Sequence, residues 1–190
     1  MKISTKKTVQ AGILGSISIA LSLTPLGFIP IGVAKATTMH IPVIIGALSF
    51  GPLVGGCTGL IFGISSMIQN FTAPVSPMYF VFLNPLVSVL PRFLIGILSY
   101  FVFKFLKSKN ENLAIIISAG IGTTVNTAGV LGMSYILYKN TLTEIFKIDS
   151  GTLLLGIAIK NGPLEILLAC LITFIVFKAV SRFEIGRAHV

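Results

Sequence analysis

The sequence predicts an all-α integral membrane protein of six transmembrane helices with both termini cytoplasmic. Three observations carry this. Apolar residues make up 54% of the 190 residues and charged ones only 10%, against about a quarter charged in a soluble domain. The apolar residues fall in runs near the roughly 20 needed to cross a bilayer, six of them joined by short loops. The 14 lysines and arginines, against 5 acidic residues, collect mostly at alternate ends of those runs. The excess of +9 therefore points to topology and lipid headgroups rather than to nucleic acid. Residues 1–183 read as a single membrane domain with no room for a separate soluble one.

The first span covers residues 8–23. Lys2, Lys6 and Lys7 precede it and place the N-terminus in the cytoplasm. The segment resembles a signal peptide in outline, but Thr24-Pro25-Leu26-Gly27 offers no cleavage site, so it reads as an uncleaved span. Small residues recur four apart, Ala11 with Gly15 and Gly12 with Ser16 and Ala20. Such seams let two helices approach closely, either within this protein or against another membrane subunit.

Pro30 and Gly32 belong to an outer loop, and the second span covers 33–50. Lys35 near its outer end snorkels. His40 lies five residues further in, about 7–8 Å at helical rise, and Pro42 removes a backbone donor beside it. A buried lone histidine is either a satisfied structural group or a ligand group. Gly51-Pro52 makes a cytoplasmic turn. The third span, 53–68, carries Gly55, Gly59 and Gly63 on one face, a pattern for close packing.

Residues 69–77 form a polar, proline-marked outer loop, and 78–83, with Tyr79, return toward the membrane as an interfacial belt or a lid. Asn84-Pro85 reads as N-cap and first helical residue. The fourth span runs over 85–105, with Arg92 about 10 Å down it. A charge at that depth faces protein or water, in an ion pair or against an anionic ligand. Lys104, Lys107 and Lys109 mark the cytoplasmic exit.

The fifth span, 113–138, has Asn126 and Thr127 at its centre, and Asn126 needs a partner there. Residues 139–150 read as an external loop. Gly162-Pro163 is expected to break the next apolar region. The sixth span then covers 163–180, with Glu165 in its first turn, where the helix dipole favours a carboxylate. Lys178 and Arg182 lie at its cytoplasmic end.

Cys57 and Cys170 sit within apolar runs without metal-ligand spacing and read as small buried hydrophobes. Phosphate-loop, HExxH, CxxC and GxSxG patterns are absent, so nothing argues for an enzyme or for a cofactor. Residues 185–190, Ile-Gly-Arg-Ala-His-Val, match what a common short-read sequencing adapter encodes in one frame. Residues 184–190 are therefore expected to be non-native, and Arg187 and His189 take no part in the functional reading.

Polar groups recur in the outer half of several spans: His40, Arg92, Asn126, Asn161 and Glu165, with Lys35 and Lys160 beside them. Their convergence implies an outward-opening pocket for a small anionic or polar ligand held by Arg92. A stand-alone carrier would need an ion-coupling carboxylate, for which Glu165 is the one candidate. A scaffold using only its glycine seams would leave Arg92 and Asn126 without a ligand.

Ala36-Thr-Thr-Met-His-Ile-Pro-Val-Ile-Ile-Gly46, Gly51-Pro52 with Gly55, Phe62-Gly63, Asn84-Pro85, Pro91-Arg92, Gly122-Thr-Thr-Val-Asn-Thr127 and Asn161-Gly-Pro-Leu-Glu165 recur in this order in a known family. The chain resembles, over residues 9–180, the substrate-binding S components of energy-coupling factor (ECF) vitamin transporters. Within that family it is most similar to the pantothenate-type members, around HIPVIIGA and SPMYFVFLNPLVSVLPR. The resemblance implies a plasma-membrane protein that captures a vitamin from outside and works with a transmembrane coupling subunit and two cytoplasmic ATPases. It implies that the whole subunit topples in the membrane to release its substrate. It places coupling-subunit docking at Ala11 and Gly15, where the family typically has two alanines, with Gly12 and Ser16 of the adjacent seam as the alternative. The candidate substrate-binding residues are His40, Tyr79, Asn84, Arg92, Asn126, Asn161 and Glu165. Pantothenate is the favoured substrate, with riboflavin or a folate-type precursor as the alternatives.

Overall fold

The computed structural model describes residues 4–31, 34–74 and 76–187. The expectations for Lys2, Val33, the side chain of Lys35 and the side chains of the tail from residue 183 onward lie outside what is described. Helices dominate: α1 (Thr5–Ser22), α2 (Ile41–Phe50), α3 (Pro52–Thr72), α4 (Pro85–Ser88), α5 (Leu90–Lys107), α6 (Glu111–Phe146) and α7 (Ser150–Arg187). With α4 and α5 counted as one interrupted span, these are the six helices expected. Four of the spans, α3, α4–α5, α6 and α7, are long and apolar enough to cross a bilayer.

The second span departs most from expectation. Its helix α2 has only 10 residues, about 15 Å. The preceding residues form a two-stranded antiparallel hairpin, β1 (Phe28–Ile31) and β2 (Ala34–Thr37), with Phe28 opposite Thr37. Pro42 explains the switch. A proline is accommodated in the first turn of a helix, but further inside it clashes with the carbonyl four residues back. The helix therefore starts at Ile41, and the chain before it satisfies its backbone within the hairpin. What remains of α2 is buried from Ile41 to Leu48. It packs against α1, α3, α5, α6 and α7, as a helix apolar on all sides must.

Gly51 ends α2 at φ +97°, a left-handed conformation open to glycine, and Pro52 starts α3 where no N–H is needed. The glycine seam then places α3. A methyl group at Gly55 would lie 2.8 Å from Ala47 Cα, one at Gly63 2.7 Å from the Ser88 oxygen, and one at Gly59 would strike the carbonyl of Arg92. The seam thus packs α3 against α2 and the α4–α5 unit. Between α4 and α5 the helix is interrupted because Pro91 has no N–H to give to Val87.

Further expectations are corrected. Residues 139–150 are largely helix: α6 bends at Tyr138 (φ −129°, ψ 17°) and continues to Phe146. Tyr138, Leu142 and Phe146, spaced four apart, pack with Val81 and Leu154, so an apolar stripe holds helix where polar neighbours suggested a loop. Only Lys147, Ile148 and Asp149 connect to α7. There the Thr152 N–H bonds the Asp149 carboxylate at 3.0 Å and holds it below the usual carboxylate range. Gly162-Pro163 does not break the last region, and α7 is one helix of 38 residues with Pro163 inside it. A membrane helix packed along a neighbour tolerates the lost bond, and α6 lies alongside. Glu165 is accordingly mid-helix and not in a first turn. Gln69 and Asn70, expected in a loop, belong to the last turns of α3. Cys57 and Cys170 are half-buried rather than buried.

Candidate functional site

A cavity of about 630 Å³ lies between α3, α5, α6 and α7 toward the end of the bundle that carries the hairpin. The opposite end is marked by Glu111, which bonds Lys178 at 2.6 Å and lies 3.8 Å from Lys107. The volume is in the range of small-molecule sites, about 300–1,000 Å³. Of the seven candidate residues, Arg92, Asn126, Asn161 and Glu165 line it.

Arg92 reaches the cavity because of its neighbour. Pro91 leaves the Val87 carbonyl without a helical donor, and Arg92 Nη1 donates to that oxygen at 2.5 Å. The guanidinium carbon lies 5.5 Å from the centre of the Phe62 ring and 5.6 Å from that of Phe82. Two aromatic walls therefore fix a charge that is only 6% exposed. Its Nε is buried and has no partner among the described residues.

Glu165 occupies α7 in the same cavity. Its Oε1 accepts from the Thr37 N–H at 3.1 Å and the Thr37 hydroxyl at 2.7 Å. Its Oε2 accepts from the Thr127 hydroxyl at 3.1 Å. Both carboxylate oxygens are thus hydrogen-bonded while the residue is buried. Among the described residues neither Arg92 nor Glu165 has an ion-pair partner within 4.0 Å. Asn126 Oδ1 is buried and unpartnered. The cavity therefore offers an unpaired cation, an unpaired anion and a free amide oxygen, separated by apolar wall from Met39, Phe62, Met78, Phe82, Val130 and Ile157. An isolated buried charge is expensive, so this arrangement suits a ligand with complementary groups at both ends.

The other candidates sit elsewhere. His40 is fully buried and does not line the cavity. Its Nε2 lies 3.0 Å from the Thr123 hydroxyl. That hydroxyl spends its proton on the Ala119 carbonyl, so Nε2 is the donor, and Nδ1 is left without a partner among the described residues. Tyr79 is 40% exposed and stacks edge-on with Phe80. Asn84 is the N-cap, accepting from the Leu86 N–H at 3.0 Å and donating to the Tyr138 hydroxyl at 3.3 Å. On α1, Ala11 and Gly15 are buried, and a methyl at Gly15 would lie 2.7 Å from Ile61 Cγ2 of α3. Gly12 has nothing within 4 Å of such a methyl, and Ser16 is exposed.

Sequence reasoning missed Thr37, Gln69, Phe62 and Phe82 as cavity residues. Thr37 stands in the sequence only within the Ala36–Gly46 run of the family resemblance, and its role depends on the hairpin folding back to α7. Phe62 and Phe82 read as ordinary apolar residues until Arg92 is placed between them.

Residues 6–177 match the family described as ECF transporter, substrate-specific component. The pantothenic acid transporter PanT of Lactococcus lactis subsp. cremoris is 30% identical over 162 residues, 78% of this chain and 79% of that protein. The pantothenate transporter PanT of Leuconostoc mesenteroides subsp. mesenteroides is 29% identical over 153 residues, 75% of each. Among solved structures, ThiT from Listeria monocytogenes matches with a TM-score of 0.67 at 14% identity, covering 92% of this chain and 94% of that one. The S component of a bacterial ECF transporter matches with a TM-score of 0.59 at 17% identity, covering 94% and 97%. These two likenesses concern the fold.

Proposed function

Because the chain belongs to the family of ECF transporter substrate-specific components, we propose that this multi-pass plasma-membrane protein captures pantothenate in the cavity between Arg92 and Glu165. The single observation that carries the substrate is that Arg92 and Glu165 share one cavity without an ion pair between them. Pantothenate has a carboxylate at one end, hydroxyls at the other and an amide between. Arg92 Nε, already desolvated and held between Phe62 and Phe82, donates to the carboxylate. Glu165 accepts a hydroxyl, and Asn126 and Asn161 meet the amide. The pantothenate transporters at about 30% identity support the same choice.

The cavity faces outside and both termini lie in the cytoplasm, in keeping with the lysines at the Glu111 end. Captured substrate passes inward through association with a transmembrane coupling subunit and two cytoplasmic ATPases. The outward Gly12 and Ser16 stripe of α1 is the docking seam, since Ala11 is buried and Gly15 meets Ile61 of α3.

The test is a thermal-shift and equilibrium-binding panel of water-soluble vitamins on the purified full chain without ATP. Pantothenate alone is expected to stabilise it and to bind with one-to-one stoichiometry. Stabilisation by riboflavin or a folate precursor with none by pantothenate would overturn the assignment.

A further inference from the structure

Three polar side chains of α3 line the ligand cavity, and holding a carboxylate, an amide and one hydroxyl uses none of them. Ser66, Gln69 and Asn70 stand three and four residues apart, so they share one helical face, and each is half-buried. The two amides are oriented by their nitrogens. Gln69 Nε2 donates at 3.0 Å to the carbonyl of Ser22, the last residue of α1, and Asn70 Nδ2 donates at 2.8 Å to the Ser66 carbonyl. A carbonyl only accepts, so the nitrogen of each amide faces its anchor. The side-chain oxygens take no donor among the described residues. α3 thus brings two neutral acceptors to the cavity.

Glu165, the charged acceptor of the cavity, is nearly full. An ionised carboxylate has about four lone-pair sites. Oε1 takes two donors, the Thr37 N–H and hydroxyl, and Oε2 takes one, the Thr127 hydroxyl. Room remains for a single hydroxyl. On the pantothenate reading, on which this inference rests, the ligand brings two, one beside the amide and one at the end of the chain. A hydroxyl taken from water without a partner costs free energy, so the second needs another acceptor.

Spacing along α3 says which hydroxyl that is. The Phe62 ring centre lies 5.5 Å from the Arg92 guanidinium carbon and so marks the level of the ligand carboxylate. From Phe62 to Gln69 is about 10 Å along α3, and to Asn70 about 12 Å. Nine bonds separate a carboxylate oxygen of pantothenate from its terminal hydroxyl oxygen, and at about 3.8 Å per three bonds the extended molecule spans roughly 11 Å. With its carboxylate at Arg92, its terminal hydroxyl reaches the level of the two amides. The inner hydroxyl falls short of them and is left to Glu165.

We propose that Gln69 and Asn70 are specificity-determining residues, whose side-chain oxygens form an acceptor wall that receives the terminal hydroxyl while Glu165 receives the inner one. The cavity then selects a carboxylate whose tail carries two hydroxyls, and not every small anion that Arg92 could hold.

The test is equilibrium titration of the purified full chain with pantothenate and with two analogues, one lacking the terminal hydroxyl and one lacking the inner hydroxyl. The unaltered chain is expected to prefer pantothenate to the terminal-deoxy analogue by about tenfold or more. Q69M and N70L keep the side-chain length and remove the oxygens. Asn70 bonds only within its own helix, so N70L should fold even where Q69M, which frees the Ser22 carbonyl, does not. Cooperative thermal unfolding reports both. Each variant should lower the preference several-fold, and Q69M/N70L should bind the two ligands alike. The preference over the inner-deoxy analogue should stay as it is, a split that a merely structural role would not produce. Equal affinity of the unaltered chain for pantothenate and the terminal-deoxy analogue, or an undiminished preference in folded N70L, would overturn the wall and leave the pantothenate reading standing. No binding of pantothenate by the unaltered chain would overturn that reading, and the wall with it.

Discussion

The side chain of Arg92 donates to the carbonyl oxygen of Val87, the acceptor that Pro91 leaves free. One imino acid thus sets both a helix interruption and the position of the buried Arg92 guanidinium in the cavity. The same carbonyl that Pro91 strands in the chain is satisfied by the charge that the cavity needs. Phe62 and Phe82 close over the remaining faces.

Arg92→Ala should weaken pantothenate binding by roughly 2–5 kcal/mol, the cost of removing one partner of a buried charge pair. It should also lower stability by about 1–3 kcal/mol, because the Val87 oxygen is left unsatisfied. Arg92→Lys should keep the charge but lose the fork geometry and bind in between. Isothermal titration and denaturant unfolding separate the two effects. Unchanged affinity in Arg92→Ala would remove the residue from the site.

Thr37→Val removes the hydroxyl that donates to Glu165 at 2.7 Å while keeping size and the backbone N–H bond. A hydrogen bond to a charged group is worth about 1.5–3 kcal/mol, so the hairpin should hold less firmly to α7. Faster ligand dissociation in stopped-flow measurements is expected, with little change in the association rate. An unaltered dissociation rate would show that the Thr37–Glu165 link does not retain the ligand.

Gly12→Leu and Gly15→Leu should part company. Position 12 is open, so Gly12→Leu should keep ligand binding and unfolding temperature while uptake in a complete transporter is lost, because a bulky side chain keeps a partner helix away. Position 15 meets Ile61, so Gly15→Leu should lower stability by about 1–3 kcal/mol. Normal uptake by Gly12→Leu would move the docking surface off this stripe.

Gly59→Ala forces a methyl against the Arg92 carbonyl, backbone against backbone, where no side chain can swing aside. It should destabilise by about 1–3 kcal/mol and weaken ligand binding as α5 shifts. A fully stable Gly59→Ala with native affinity would show that α3 can move away without disturbing Arg92.

Much of this was legible before any coordinates. The Asn84 cap, the Gly55, Gly59 and Gly63 packing face and the burial of Arg92 follow from local rules, namely capping chemistry, helical spacing and the expense of a charge among apolar residues. What was not legible depends on distant partners. Pro42 and Pro163 carry the same local signal, yet one marks the start of a helix and the other sits deep within one, because α6 supports α7 where nothing comparable extends α2 backward. Residues 139–146 read as loop by polarity, while Leu142 and Phe146 find Val81 and Leu154 only in three dimensions. Glu165 was singled out as a carboxylate, but its partners Thr37 and Thr127 come from a hairpin and a helix far away in the chain.

The central claim, that Arg92 reads a carboxylate in the shared cavity, is tested most directly by a double-mutant cycle in which the second change is made in the ligand. Pantothenate and its alcohol analogue pantothenol, which lacks the carboxylate, are titrated into the unaltered chain and into Arg92→Ala. The account predicts that the unaltered chain prefers pantothenate by about 2–5 kcal/mol and that Arg92→Ala binds the two alike. Equal binding of both by the unaltered chain, or a preference for pantothenate that survives in Arg92→Ala, would contradict it.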